Sequence, residues 1–239
     1  MIEFGKYRAL SFDCYGTLID WEAGIRNWVE GWIARSGAPT NADAFLVQFN
    51  RYESAVQAEE PSLIYPLVLA KVAKRFAADN GIDISEDDAN SFGRSVGDWP
   101  AFEDSTDALR ALKERFDLVI LSNVDRLSFA RSNERLGVRF SAIVTAEDVG
   151  SYKPDPRNFD TLLATIDGMG VPKHQLLHVA ESLFHDIVPA VRDGIDVVWI
   201  DRAAEKTGPR ASGGAGTSDA KPLATFTSMA AFTAAALEA

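Results

Sequence analysis

Hydrophobic and polar positions change their period along the chain. Residues 7–13 (YRALSFD) form a short apolar run stopped by Gly16, the pattern of a buried strand ending in a tight turn. From Trp21 to about Val96 the spacing is helical: Ile25, Trp28, Val29 and Trp32 stand at i, i+3, i+4 and i+7, and a second helical run covers residues 66–78. After Trp99 and Pro100 strand and helix alternate. Strands are expected at residues 118–123, 141–146, 175–181 and 196–201, and helices at 105–116, 126–136, 156–166 and 185–193. Such alternation with short loops predicts an α/β fold, a parallel sheet covered by helices on both faces. The helical block falls after the first strand, so the expected organisation is a core of residues 1–20 and 98–239 with a helical cap of residues 21–97. The Gly/Ser/Ala-rich segment 208–222 reads as a flexible surface loop, and the alanine-rich stretch 229–238 as a closing helix.

Composition narrows the function classes. With 239 residues the chain can bury a real core, and 46% hydrophobic with 25% charged residues is ordinary globular usage. A net charge of -11 repels phosphate backbones and anionic lipid, which argues against nucleic acid and membrane partners. One cysteine, Cys14, excludes an internal disulfide and suits a reducing compartment, and the three histidines show no zinc-ligand spacing. The first ten residues lack the basic start and apolar run of a secretory signal, and no apolar stretch reaches the ~20 residues needed to span a bilayer. A cytoplasmic protein is expected.

In open α/β sheets ligands bind beyond the carboxyl ends of the strands. Polar clusters fall at four of these ends: Asp13, Tyr15 and Thr17; Ser122, Asn123 and Asp125; Asp148, Ser151 and Lys153; Glu181, Ser182 and Asp186. A purely structural sheet does not need four such clusters.

The segments FDCYGTLID, ILSNVDR, VGSYKPDPRNF and HVAESLFHDI resemble the four ordered motifs of the haloacid dehalogenase superfamily of aspartate-nucleophile hydrolases, and the resemblance spans nearly the whole chain. It implies a Rossmann-like core with an inserted helical cap. Two residues after the nucleophile the superfamily's phosphatases carry a second aspartate as general acid. Tyr15 stands there, as in the type II 2-haloacid dehalogenases, and a halide leaves without needing a proton. The chain departs from those dehalogenases at Val124-Asp125-Arg126, at Glu181-Ser182 and at Phe159, where a tyrosine is usual. The fourth motif is spaced more like that of the metal-dependent phosphatases. The run FDCYGTLIDWE together with HVAESLFHD also resembles a small branch containing azetidine-2-carboxylate hydrolase, which opens a strained ring beside a carboxylate.

The resemblance implies roles. Asp13 would attack C2 of a small 2-substituted carboxylate and form an ester that water hydrolyses at the aspartyl carbonyl. Lys153 would orient Asp13 and keep it ionised. Thr17, Ser122 and Asn123 can donate hydrogen bonds to nucleophile, substrate or oxyanion. Asp186 would activate water and Glu181 contact substrate, with no cofactor; the alternative is Mg²⁺ held by Asp13, Glu181 and Asp186 in a phosphatase. His185 reads as a surface residue at a helix start. In the cap, Arg51 could grip the substrate carboxylate with two parallel hydrogen bonds, Trp21 could roof the pocket, and Trp28 and Trp32 read as cap core. Relatives often form homodimers through the cap, so a homodimer is a further expectation.

Overall fold

The computed structural model describes residues 2–204 and 219–238. Six strands, β1 (Ala9–Phe12), β2 (Asp117–Ser122), β3 (Ala142–Thr145), β4 (Leu176–Ala180), β5 (Asp196–Ile200) and β6 (Thr225–Phe226), form one sheet in the order β3-β2-β1-β4-β5-β6. Every pairing is parallel. Five of these strands lie where the hydrophobic pattern places them. The sixth has two residues, too short for a period to show, and exists because Trp199 and Ile200 offer it an edge. Most of the expected 208–222 loop lies outside the described residues.

Parity along the strands decides what each face buries. Leu10, Phe12, Leu118, Ile120, Leu177 and Val179 belong to one core, and Ala9, Val119, Leu121, Val144, Leu176 and Ala180 to the other. Apolar side chains on both faces require cover on both. Helices α5 (Ser105–Lys113), α6 (Arg126–Leu136) and α10 (Met229–Leu237) supply it on the first face through Leu109, Phe129 and Phe232. On the second, α8 (Pro156–Gly168) and α9 (Val188–Arg192) contribute Phe159, Leu162 and Ala190. The short α7 (Ala146–Val149) follows β3 directly, opened by a capping box between Thr145 and Asp148.

Between β1 and α5 the chain makes four helices, α1 (Trp21–Ser36), α2 (Ala42–Glu59), α3 (Tyr65–Asp79) and α4 (Glu86–Arg94). Asp20 caps α1 through Ala23 N at 3.0 Å, and Gly37 ends it at φ 70°, a left-handed conformation that suits glycine. The block has an aromatic interior: Trp28 stacks on Trp32, and Phe45 packs on Phe76 and Phe92 with ring centroids 4.7 and 5.4 Å away. The chain enters and leaves it side by side. Asp20 N donates to Pro100 O at 2.8 Å and Phe102 N to Leu18 O at 3.0 Å, so both ends are fixed at the sheet's carboxyl edge. No helix among the described residues is long and apolar enough to cross a membrane.

Close approach of α3 and α4 depends on Gly93, where a Cβ would lie 2.1 Å from the Pro66 carbonyl oxygen. Backbone there cannot yield as a side chain can. Gly93→Ala is expected to cost about 1–3 kcal/mol in urea unfolding, whereas Gly168→Ala, with open space around it, should gain about 0.5 kcal/mol.

Candidate active site

The sheet's connections run outward from β1 in one direction and from β4 in the other, which makes the gap between these neighbours the topological switch point. Asp13, the residue after β1, lies there and donates its own N–H to Val179 O of β4 at 3.1 Å. The following turn is closed by Leu18 N and Ile19 N donating to Cys14 O. It needs Gly16, whose φ is 101° and whose missing Cβ would lie 3.3 Å from Trp21 Nε1 and 3.4 Å from Glu181 Oε2.

Lys153 is the hub. Its side chain is 1% exposed, and its Nζ donates to Asp13 Oδ1 at 3.0 Å, Asp186 Oδ1 at 2.7 Å and Leu121 O at 3.0 Å. Three donors meet three acceptors. Burial works against its charge, but the two carboxylates outweigh that and raise it above the ordinary lysine value. Asn123 was expected to donate to nucleophile or substrate, and the structure corrects this. Its Oδ1 accepts from Lys153 N at 2.6 Å and its Nδ2 donates to Lys153 O at 3.0 Å, so both ends of the amide clamp the lysine backbone. Thr17 is likewise occupied: its hydroxyl donates to Asp13 Oδ2 at 2.8 Å and accepts from Glu181 N at 2.9 Å.

The two carboxylates on Lys153 differ. Burial, then the neighbouring Asp186 charge, push Asp13 above the usual carboxylate range against the pull of Lys153. Burial also opposes the charge of Asp186, but Lys153 and His178 together hold it below that range. His178 is a site residue that the sequence reading missed. Its Nε2 lies 3.0 Å from Asp186 Oδ1 and its Nδ1 2.8 Å from Ser11 Oγ, its register partner across β1 and β4. The available signal was a polar side chain amid the fully buried strand LLHVA. Phe159 packs edge-on against its ring.

Asp186 sits in a π-helical turn, Leu183–Ile187, in which Ile187 N reaches Ser182 O at 3.1 Å. A regular helix start had been expected there. The wider turn brings Asp186 onto Lys153 and leaves its Oδ2 buried with no partner; Ser122 Oγ is the other buried, unpartnered polar atom of the site.

A cavity of about 610 Å³ opens over this cluster. Asp13, Ser122, Lys153, Glu181 and Asp186 form its sheet side, and Trp21, Phe49, Arg51, Glu53 and Tyr65 come from the helical block. Trp21 lies against Phe49, with ring centroids 5.4 Å apart. Tyr15 lines the cavity, and its hydroxyl shares a 2.9 Å hydrogen bond with Ser132. Arg51 is at the wall, but its guanidinium donates to Tyr52 Oη at 2.7 Å and pairs with Asp79 at 3.4 Å, so the two-pronged grip on a substrate is not in place. His185 is corrected as well: it lines the cavity, and burial lowers it to about 4, leaving it neutral near neutral pH. Of the oxygens in the alternative Mg²⁺ set, Lys153 holds Oδ1 of Asp13 and of Asp186, Thr17 holds Oδ2 of Asp13, and Oδ2 of Asp186 has no partner; among the described residues no group of three His, Cys, Asp or Glu gathers for a metal.

Sheet order, cavity and buried charge cluster define an enzyme of the α/β class. The chain belongs to the haloacid dehalogenase-like hydrolases, whose family model matches residues 7–190. It is similar to an (S)-2-haloacid dehalogenase of Pseudomonas putida, 25% identical over 207 residues that span 82% of this chain and 85% of that one. An (S)-2-haloacid dehalogenase of Pseudomonas fluorescens is 32% identical over 104 residues, 42% of this chain and 44% of the relative. Among solved structures, the L-2-haloacid dehalogenase from Xanthobacter autotrophicus has a TM-score of 0.80 over 97% of this chain and 99% of that one, at 15% identity, a likeness of fold.

Removal of the hub should be felt in stability. Lys153→Met leaves two buried carboxylates without a cation and is expected to cost about 3–5 kcal/mol at neutral pH. The deficit should shrink as pH falls, because uncompensated carboxylates can then take up protons; urea unfolding across pH reads both.

Proposed function

We propose that this chain is a 2-haloacid dehalogenase that works through an aspartyl ester without a metal. The observation that carries this reading is a buried carboxylate, Asp13, held at one oxygen by Lys153 and at the other by Thr17, at the floor of a cavity roofed by apolar and aromatic side chains. Two hydrogen bonds fix the direction of its lone pairs, and burial strips the water that would blunt its attack. Family membership and the names of the Pseudomonas relatives support the same substrate class.

In the first step an Asp13 oxygen attacks C2, the C2–halogen pair leaves with the halide, and configuration inverts. In the second, water adds to the aspartyl carbonyl and the hydroxy acid is released. Asp186 is the group for water activation: its Oδ1 is held by Lys153 and His178 while Oδ2 is buried and unpartnered. The Ser122 hydroxyl, also unpartnered, is available to the substrate carboxylate. Arg51 would join it by leaving Asp79, an exposed pairing worth about 0.2–1 kcal/mol and cheap to exchange. Residues 21–97 act as the cap that closes on the substrate, and Glu181 lines the cavity beside Trp21. The lone, buried Cys14 suits a cytoplasmic setting.

A single turnover in ¹⁸O-water, with enzyme in excess, chelator present and 2-chloropropionate as substrate, tests the route. The label should enter Asp13 while the first product stays unlabelled, and Asp13→Asn should release no chloride. Label in the first product with none on Asp13, or chloride release that requires Mg²⁺, would overturn the reading.

A further inference from the structure

Glu53 is an acid of the cavity to which the two steps above give no task. It comes from α2, on the helical-block wall, whereas Asp13, Lys153 and Asp186 belong to the sheet side. Its Oε1 accepts from Tyr65 Oη of α3 at 2.7 Å. Among the described residues no cation pairs with it, and the nearest guanidinium in sequence, Arg51, is engaged by Tyr52 and Asp79. A carboxyl so placed loses hydration without gaining a counter-charge. Burial pushes it up to about 7, although the Tyr65 hydrogen bond favours its ionised form. Near neutral pH it is therefore often a neutral acid, and a neutral carboxyl can donate where a carboxylate only accepts.

In-line displacement at C2 expels the leaving atom away from Asp13, toward the helical-block wall. A departing halide gathers negative charge there, which an ionised Glu53 would repel and a neutral one would stabilise. Resting on the dehalogenase reading above, we propose that protonated Glu53 donates a hydrogen bond to the halide as the C2–halogen bond breaks. The Asp13 oxygen forms the new bond to C2, the bonding pair departs with the halide, and the proton stays on Glu53 while the halide leaves as the anion.

The sign of the pH dependence isolates this role. Activity that needs neutral Glu53 is full below about 7 and falls above it. Tyr65 and Tyr152, which face Glu53 from α3 and from the loop before Lys153, are both raised above the ordinary phenol range, as is Tyr15 beyond Tyr65. Across the cavity, His185 is lowered to about 4 and Lys153 is raised above the ordinary lysine value. Asp13, Glu181 and Asp186 also face the cavity, and carboxylates that work ionised give the opposite sign, activity rising with pH.

The test is the pH profile of kcat/KM for chloride release from 2-chloropropionate. Wild type should lose activity as pH rises through about 7. Glu53→Gln, a donor at every pH, should stay within several-fold of the wild-type rate at low pH and show no such decline. Glu53→Ala should be about 100-fold slower than wild type at low pH, with the gap closing as the wild-type rate declines. Tyr65→Phe supplies an independent check: it removes a bond that favours the ionised form, so the descending limb should move to higher pH. A decline in Glu53→Gln matching wild type, an unmoved limb in Tyr65→Phe, or full activity in Glu53→Ala would overturn the proposal while leaving the dehalogenase reading intact. Absence of chloride release by wild type at any pH from about 5 to about 9 would sink both.

Discussion

One ammonium shared by two carboxylates organises this molecule. Lys153 Nζ lies 3.0 Å from Asp13 and 2.7 Å from Asp186, and all three side chains are almost wholly buried. The trio carries one more negative charge than positive when both acids are ionised, and each desolvated ion costs several kcal/mol. Such a cluster survives only where neighbouring donors and acceptors offset that cost. Leu121 O takes the lysine's third proton, Asn123 clamps its backbone on both sides, and Thr17 ties the far oxygen of Asp13 to the Glu181 amide. Burial, then the Asp186 charge, push Asp13 up, while Lys153 and His178 hold Asp186 down against burial, so two identical functional groups acquire different chemistry.

The sheet makes this placement possible. Parallel strands bring the ends of β1, β2 and β4 to one edge, and the reversal of strand order opens a crevice beside Asp13. Support also comes from below. Ser11 and His178 are register partners on the face that otherwise buries Ala9, Leu176 and Ala180, and through His178 the sheet interior reaches the Oδ1 atom of Asp186. The helical block answers a different need. Pinned by residues 18–20 and 100–102 at the sheet's carboxyl edge, it lays Trp21, Phe49 and Tyr65 over the charges and limits the water that reaches them.

Much of this was legible in the chain. Short apolar runs and their turn signals located five strands, and the strand-end rule gathered Asp13, Ser122, Lys153, Glu181 and Asp186 from the sequence. Strand β6 escaped because two residues carry no period, and the π-helical turn at Asp186 because its cause is a backbone bond to Ser182 O rather than a residue pattern. Side-chain direction was the other blind spot. Asn123 turns its amide to the lysine backbone, and Arg51 turns its guanidinium to Asp79, choices made by neighbours far along the chain. In sequence a lone histidine in an apolar strand such as His178 looks like core and a helical glutamate such as Glu53 looks like surface; only the folded chain shows what stands beside each.

On the proposed route the shared ammonium divides labour between the two acids, Asp13 for attack and Asp186 for the water. Intact-mass spectrometry of Asp186→Asn mixed with 2-chloropropionate tests it most directly, since attack should proceed while hydrolysis stalls. A propionate adduct should accumulate on the peptide holding Asp13 and persist for many wild-type turnover times. Full turnover with no accumulating adduct, or an adduct on any other residue, would contradict it.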